Sequence, residues 1–162
     1  MSGLHLRPVT EQDCRTLWEW VNDPVTRQAS FVGKPIPWDE HTAWFARRLQ
    51  DPDSVMYMAC DEQDNPVALI RFDIEGAAAA IGINVAPGQR GRGHGAAAIR
   101  LAGERLMAER DVERIDAYIK PTNEASLRAF AKAGYGGREP CTVKGQPAVR
   151  NQGRAIDVAR RR

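Results

Sequence analysis

Hydrophobic and polar positions along this chain switch between two periods, and the switches mark its elements. Leu4-His5-Leu6-Arg7-Pro8-Val9 alternates with a period near two and predicts a first strand. Thr10 stands where a helix N-cap belongs, with Asp13 three residues on as a variant of the capping box. Cys14, Leu17, Trp18 and Val21 follow at i, i+3, i+4 and i+7, the stripe of an amphipathic helix. Asn22-Asp23-Pro24 ends it, because proline disfavours helix in the residue before it. Residues 25–37, with Gly33, Pro35 and Pro37, read as irregular. A second helix is predicted from Trp38 to about Leu49, with His41, Trp44, Phe45 and Leu49 on neighbouring positions.

Three strands should then form a meander. Val55–Cys60 and Val67–Ile74 are joined by the turn Asp64-Asn65-Pro66, and Glu75-Gly76 leads into Ala79–Val85. A long helix from Ala96 to Glu109 turns Ile99, Ala102 and Leu106 inward, and Ile115–Ile119 is the next strand. Pro121-Thr122-Asn123 opens another helix, with Thr122 as its cap and Gly134 in the C′ position. Tyr135–Arg162 holds one or two strands, Ala155–Val158 among them. This order is α+β with a mixed sheet, and it lacks the βαβ alternation of a dinucleotide-binding domain.

Composition changes little in this picture. The 162 residues suffice for one substantial core and not for two ordinary ones, so one domain over 1–162 is expected. A formal charge of +2 gives no basis for a nucleic-acid partner, and Arg160-Arg161-Arg162 reads as a solvated tail. No run approaches the ~18 apolar residues of a membrane span, and no signal-peptide core interrupts the first residues. Cys14, Cys60 and Cys141 are odd in number and scattered without metal-ligand spacing. A reducing, cytoplasmic setting with buried thiols and no metal is the expectation.

The chemistry gathers in Val85-Ala86-Pro87-Gly88-Gln89-Arg90-Gly91-Arg92-Gly93-His94-Gly95-Ala96, an apolar strand running through a basic, glycine-rich turn into a helix. Glycines at 91, 93 and 95 leave backbone N–H groups unshielded at a helix N-terminus, where the peptide dipoles favour negative charge. Arg90 and Arg92 add full positive charges, which suits a diphosphate. A Walker A loop is excluded, since no Gly-Lys-Ser/Thr follows. A dinucleotide fingerprint fits Gly91, Gly93 and Ala96 with Asp111 beyond, but in the wrong place, because it should close the first strand of its domain. A plain surface loop is the bland alternative. The third pattern, Arg/Gln-x-x-Gly-x-Gly/Ala on Arg90, Gly93 and Gly95, resembles the pyrophosphate loop of the GNAT superfamily of acyl-CoA-dependent N-acetyltransferases.

A second motif makes the resemblance specific. Asn123-Glu124-Ala125-Ser126 through Phe130 to Gly134-Tyr135 is similar to the GNAT pattern Asn-x-x-Ser/Ala-x-x-x-Tyr/Phe-x-x-x-Gly-Phe/Tyr, in the expected order after the glycine loop. The resemblance covers nearly the whole chain. It implies a twisted, mostly antiparallel mixed sheet of about six or seven strands with about four helices. Leu6-Arg7-Pro8, Trp20-Val21-Asn22-Asp23-Pro24, Ser30-Phe31 and His41-Thr42-Ala43-Trp44-Phe45 look like the amino-sugar nucleotide branch, and the ribosomal-protein N-terminal acetyltransferases share some of these features. That branch usually has arginine directly before Asn-Asp-Pro, where this chain has Val21.

By resemblance, the pyrophosphate of acetyl-CoA would lie on Arg90, Gly91, Arg92, Gly93, His94, Gly95 and Ala96. The pantetheine arm would pair with Ile83-Asn84-Val85, whose strand splays from its neighbour, and a backbone N–H there would polarise the thioester carbonyl. Asn123, Ser126, Arg128 and Phe130 belong to the same cosubstrate site, with Asn123 on the arm and Arg128 near the adenosine phosphate. The reaction implied is direct attack by a primary amine in a ternary complex. The first acceptor implied is an amino-sugar nucleotide. Protein N-termini come second and small polyamines or drugs after them, and a CoA-binding module with little catalysis is the alternative from another class. Many members use a tyrosine to protonate the departing thiolate where this chain has Phe130, which leaves Tyr118 as a candidate. His41 and Asp73 are candidates for the base, against a capping role for His41 and an Arg71–Asp73 ion pair. Trp38, Trp44 and Phe31 are candidates to stack on an acceptor. A cysteine nucleophile is disfavoured because no cysteine falls in either motif. A homodimer through an exposed sheet edge is compatible with such a fold.

Overall fold

A computed structural model describes residues 3–154. The first strand, β1 (His5–Pro8), pairs antiparallel with β2 (Ser54–Cys60), β2 with β3 (Pro66–Glu75), and β3 with β4 (Ala78–Val85). Beyond β4 the direction changes, because β5 (Arg114–Ile119) lies parallel to β4. The hairpin of β6 (Gly136–Val143) and β7 (Gln146–Arg154) closes the sheet, giving the order β1-β2-β3-β4-β5-β7-β6. The last strand expected at Ala155–Val158 lies outside the described residues.

Helices cover both faces. α1 (Cys14–Val21) and α3 (Trp38–Gln50) pack Leu17, Trp20 and Phe45 onto Met56, Met58, Cys60 and Leu69. α4 (His94–Glu109) and α5 (Glu124–Lys132) cover the opposite face, where Ile99, Ala102, Leu106 and Phe130 meet Ile70, Phe72, Ile115 and Ala117. A fully buried aliphatic or aromatic side chain contributes about 1.5–3 kcal/mol, so two such clusters clamp the sheet from both sides. Among the described residues no helix is long and apolar enough to cross a membrane.

The α+β class and the mixed sheet match the sequence expectation. Three local expectations do not. Residues 25–37 are not irregular throughout, since α2 (Pro24–Ala29) forms there as a fifth helix. Pro24 both ends α1 and opens α2, where its missing N–H costs nothing, and the Asp23 carboxylate accepts from the N–H groups of Val25 and Thr26. The cap of α5 is Asn123 rather than Thr122, its Oδ1 accepting from Ser126 N–H at 3.2 Å. In α1 the buried stripe is Leu17 and Trp20, with Trp18 and Val21 only partly covered.

The α5 C-terminus follows expectation in detail. Gly134 takes φ 106°, its N–H reaches Ala131 O, and Tyr135 N–H reaches Phe130 O at 2.9 Å. The Phe130 and Tyr135 rings meet edge to face at 5.1 Å, the apolar contact that accompanies this kind of helix stop.

Candidate active site

The two sequence motifs converge where the sheet opens. Pairing between β4 and β5 runs from Ala78↔Arg114 to Ile81↔Ala117 and then stops. Gly82, Ile83, Asn84 and Val85 stay paired with β3, so their other edge faces a widening slot. A Cβ on Gly95, in the first turn of α4, would lie 3.6 Å from Ala129 of α5 and 3.8 Å from Val85. The mouth of the slot is therefore lined by β4, the α4 N-terminus and α5 together.

The loop before α4 takes the shape its glycines permit. Gly91 and Gly93 have φ of 75° and 78°, a region costly for side-chain-bearing residues. Gly93 is the N-cap of α4, and no side chain caps the helix. The N–H groups that open α4, at His94, Gly95 and Ala96, thus have only a ligand or solvent to serve. Arg92 is exposed, while His94 lies near Asp61 and helps hold that carboxyl below the usual range, after the Asn65 N–H that dominates.

The side chain of Arg90 is engaged by the start of α2. Its guanidinium donates to Asp23 Oδ2 and to Thr26 Oγ1, both at 2.9 Å. Burial opposes ionisation of Asp23, but Arg90 and the α2 N–H groups outweigh it and hold that carboxyl low. Thr26 in turn donates to Asn84 Oδ1 at 3.4 Å, and Lys120 donates to Gln28 O at 3.1 Å. α2 is thereby tied to β4, to the end of β5 and to the glycine loop. On the other side of the slot, Asn123 uses its oxygen on Ser126 and keeps its amide N–H groups without a partner among the described residues. Ser126 is partly buried, and exposed Arg128 has only a 3.7 Å contact with Glu124. Phe130 is 2 % exposed, part of the core under α5.

On the face that carries α1 and α3, an open groove of about 680 Å³ leads to the point of splay. Its lining includes Asp51, Asp53, Asp73, Glu75 and Asp116 against a single Arg114. Register explains the layout. Asp73, Ala80 and Asp116 form one row across β3, β4 and β5, and the next row on that face is Arg71 and Gly82, with Tyr118 across the slot. Arg114 Nε donates to both oxygens of Asp116, at 3.1 and 3.2 Å. Tyr118 is 41 % exposed, and its hydroxyl makes no hydrogen bond among the described residues.

The structure rearranges the other candidates. His41 is 3 % exposed and does not line the groove; its Nε2 donates to Cys14 O at 2.9 Å, and its ring packs among Trp38, Trp44 and Phe45. Burial pushes its pKa down, with the bond to Cys14 O opposing. Asp73 pairs with Arg48 of α3, which also reaches its second oxygen at 3.1 Å, rather than with Arg71. Trp38 meets the edge of Trp18 and is 39 % exposed, Trp44 lies under Arg48, and Phe31 lies under Lys120. The acids of the groove and the isolation of Arg71 were not anticipated. The visible signal for the latter was an arginine inside the apolar run Val67–Ile74.

The buried histidine makes a stability prediction. Unfolded His41 takes a proton below about pH 6.5, whereas the folded ring resists it. The unfolded state therefore binds more protons, and stability is full above that pH and lost as pH falls below it. His41→Gln keeps a donor for Cys14 O and should flatten the dependence of Tm on pH between 7 and 5. It should also retain turnover, since the ring lies outside the groove.

A glycine-rich turn at a helix N-terminus here opens on a slot between splayed parallel strands. The chain belongs to the GNAT acetyltransferases, whose domain model, described as "Acetyltransferase (GNAT) domain", matches residues 3–136. These enzymes take the acetyl group from acetyl-CoA, which is the cosubstrate. The whole fold is shared with AAC(6')-Ib solved with paromomycin and acetyl-CoA (TM-score 0.86, 21 % identity, 99 % of this chain and 98 % of that one). It is likewise shared with spermidine N-acetyltransferase from Vibrio cholerae solved with CoA and spermine (TM-score 0.85, 18 % identity, 98 % and 99 %). No curated protein sequence matches the chain.

Proposed function

We propose that this N-acetyltransferase acetylates a small amine carrying several cationic groups, bound in the groove on the α1/α3 face. The observation that carries this reading is the groove leading to the splay, whose lining holds five carboxylates and the guanidinium of Arg114. Such a lining concentrates polycations and steers them inward. Structures that share the fold hold paromomycin and spermine, acceptors of this charge type. The amino-sugar nucleotide suggested by the sequence ranks lower, because His41 is packed and Ser30 is bound by Arg27 and Thr26. Protein N-termini and a CoA module without turnover are the remaining alternatives.

In this reading the pyrophosphate of acetyl-CoA lies on the N–H groups of Gly91–Ala96, and its arm lies along Gly82–Val85, held by Asn123. The amine nitrogen, having released its proton toward the groove, attacks the thioester carbon. A backbone N–H of the unpaired β4 edge stabilises the oxyanion. The C–S bond then breaks, the thiolate takes a proton from Tyr118, and Tyr118 is reprotonated through the groove by the second proton that the nitrogen sheds as the amide forms. The first test is release of free CoA with spermine, paromomycin, an amino-sugar nucleotide, a peptide and a simple monoamine. For spermine, kcat/KM should exceed that of the monoamine and should fall steeply between ~0.05 and ~0.5 M salt, since screening weakens exposed charges. Equal use of all five acceptors, independent of salt, would remove the acidic groove as the recognition element.

A further inference from the structure

Arg71 is a charged side chain without a counter-charge at the centre of the site. It projects from β3 across β4, so that a Cβ on Gly82 would lie 2.7 Å from its Nε and 3.2 Å from its Cζ. Gly82 is the first β4 residue beyond the last pair with β5, so the guanidinium lies at the mouth of the slot, opposite Tyr118. It forms no hydrogen bond or ion pair among the described residues. The acid two residues along, Asp73, is taken by Arg48.

The surroundings add to the imbalance. Arg27 donates to the carbonyls of Val21, Val32 and Lys34 and to Ser30 Oγ, none of them charged. Burial, reinforced by the charges of Arg48 and Arg27, lowers the proton affinity of Arg71. An arginine nonetheless keeps its proton, so two positive charges stand here unneutralised. Arg71 is half-buried, so its guanidinium stays open to the slot, where a ligand's negative group would supply the counter-charge it lacks.

The cosubstrate's phosphates do not reach it. They belong at the glycine loop, beyond Val85, which lies three steps along the strand from Gly82, about 10 Å at ~3.3 Å per residue. The backbone edge of β4 already supplies an oxyanion donor. Arg71 shares its face with the groove, and Phe130 lies on the other one.

We propose that Arg71 binds an anionic group, a carboxylate or a phosphate, carried by the acceptor amine itself, so that the enzyme selects amines with a negative group close to the nitrogen-bearing chain. This rests on the acceptor lying in the groove, as argued above, and it deepens that reading: cationic groups meet the acids, and the anion meets the fork of Arg71. A guanidinium can grip either anion with two parallel hydrogen bonds, a geometry that lysine does not offer.

Two matched pairs of acceptors test this. Lysine against cadaverine isolates a carboxylate, and glucosamine 6-phosphate against glucosamine isolates a phosphate. With saturating acetyl-CoA, one pair should show a preference of ~10-fold or more in kcat/KM for its anionic member, as a charge-assisted bond would give. Arg71→Met should bring that member down to its anion-free counterpart, mainly through KM. Arg71→Lys should restore part of the preference, and a normal melting curve for it shows that the site still folds. The carboxylate pair responding alone names an amino acid type of acceptor, and the phosphate pair alone names a phosphorylated amine. No preference in either pair with the native protein would overturn the proposal. So would an equal loss for both members in Arg71→Met, which would place Arg71 on the thioester. If no amine is turned over, the acceptor reading fails separately. Calorimetry of the CoA-bound protein with the same four compounds then decides, since an Arg71-dependent binding preference needs no catalysis.

Discussion

The Gly93→Trp variant is expected to lose acetyl-CoA binding altogether while keeping its fold. Gly93 is the N-cap of α4 with φ 78°, and no atom lies within 4 Å of where its Cβ would stand. A Cβ there meets no steric wall, and the left-handed backbone costs only about 1–2 kcal/mol, small beside a typical stability of 5–15 kcal/mol. The loss should come from position. An indole at the N-cap stands over the N–H groups of the first turn, which are the groups a pyrophosphate needs. The native protein at 100 times its Kd for acetyl-CoA should gain about 2.7 kcal/mol, read as a rise in Tm, and Gly93→Trp should gain nothing. Calorimetry should agree. A folded variant that binds acetyl-CoA within threefold of the native protein would move the pyrophosphate away from this loop.

The parts of this molecule that could be read from sequence are those governed by neighbours along the chain. The meander of β2, β3 and β4 was visible as three apolar runs set apart by turns that carry the left-handed residues Asp64 and Gly76. The glycine loop and the α5 motif were visible for the same reason, since each is one strand-to-helix or loop-to-helix unit. What was hidden depends on residues far apart. Asp73 looked like a partner for Arg71, but residues two apart on a strand stand side by side, and Arg71 turns across the glycine at 82 while Arg48 arrives from α3. Arg90 looked like a phosphate ligand, yet Asp23, 67 positions away, holds it. The acidic groove is assembled from the loop after α3 and from β3, β4 and β5, and no segment shows more than a part of it. β6 was obscure because it is almost wholly exposed and so carries little apolar alternation. α2 was missed because proline was read only as a stop, although the Asp23 ahead of it makes it a start.

Tyr118→Phe is expected to lower kcat ~100-fold, the low end of what a positioned proton donor contributes, with no change in acetyl-CoA affinity. In this chain the tyrosine usual on α5 is Phe130, which is buried beside Tyr135 and has no hydroxyl to give. Tyr135 does not replace it, because its hydroxyl is buried without a partner and burial pushes its pKa up. Tyr118 stands one residue past the last β4–β5 pair, across the slot from Gly82, with a hydroxyl that makes no hydrogen bond among the described residues. Its side chain lines the groove, on the face opposite to the one on which α5 packs. Removing one oxygen from a side chain that is 41 % exposed leaves no buried gap, so stability should hold and the effect should be read in turnover alone. Rates of CoA release at saturating acceptor, with acetyl-CoA Kd measured beside them, separate the two quantities. A fall of less than threefold would mean that the thiolate leaves without a protein donor, which a thiol of pKa about 8.5 permits, and the slot would then work by positioning and its backbone N–H groups alone.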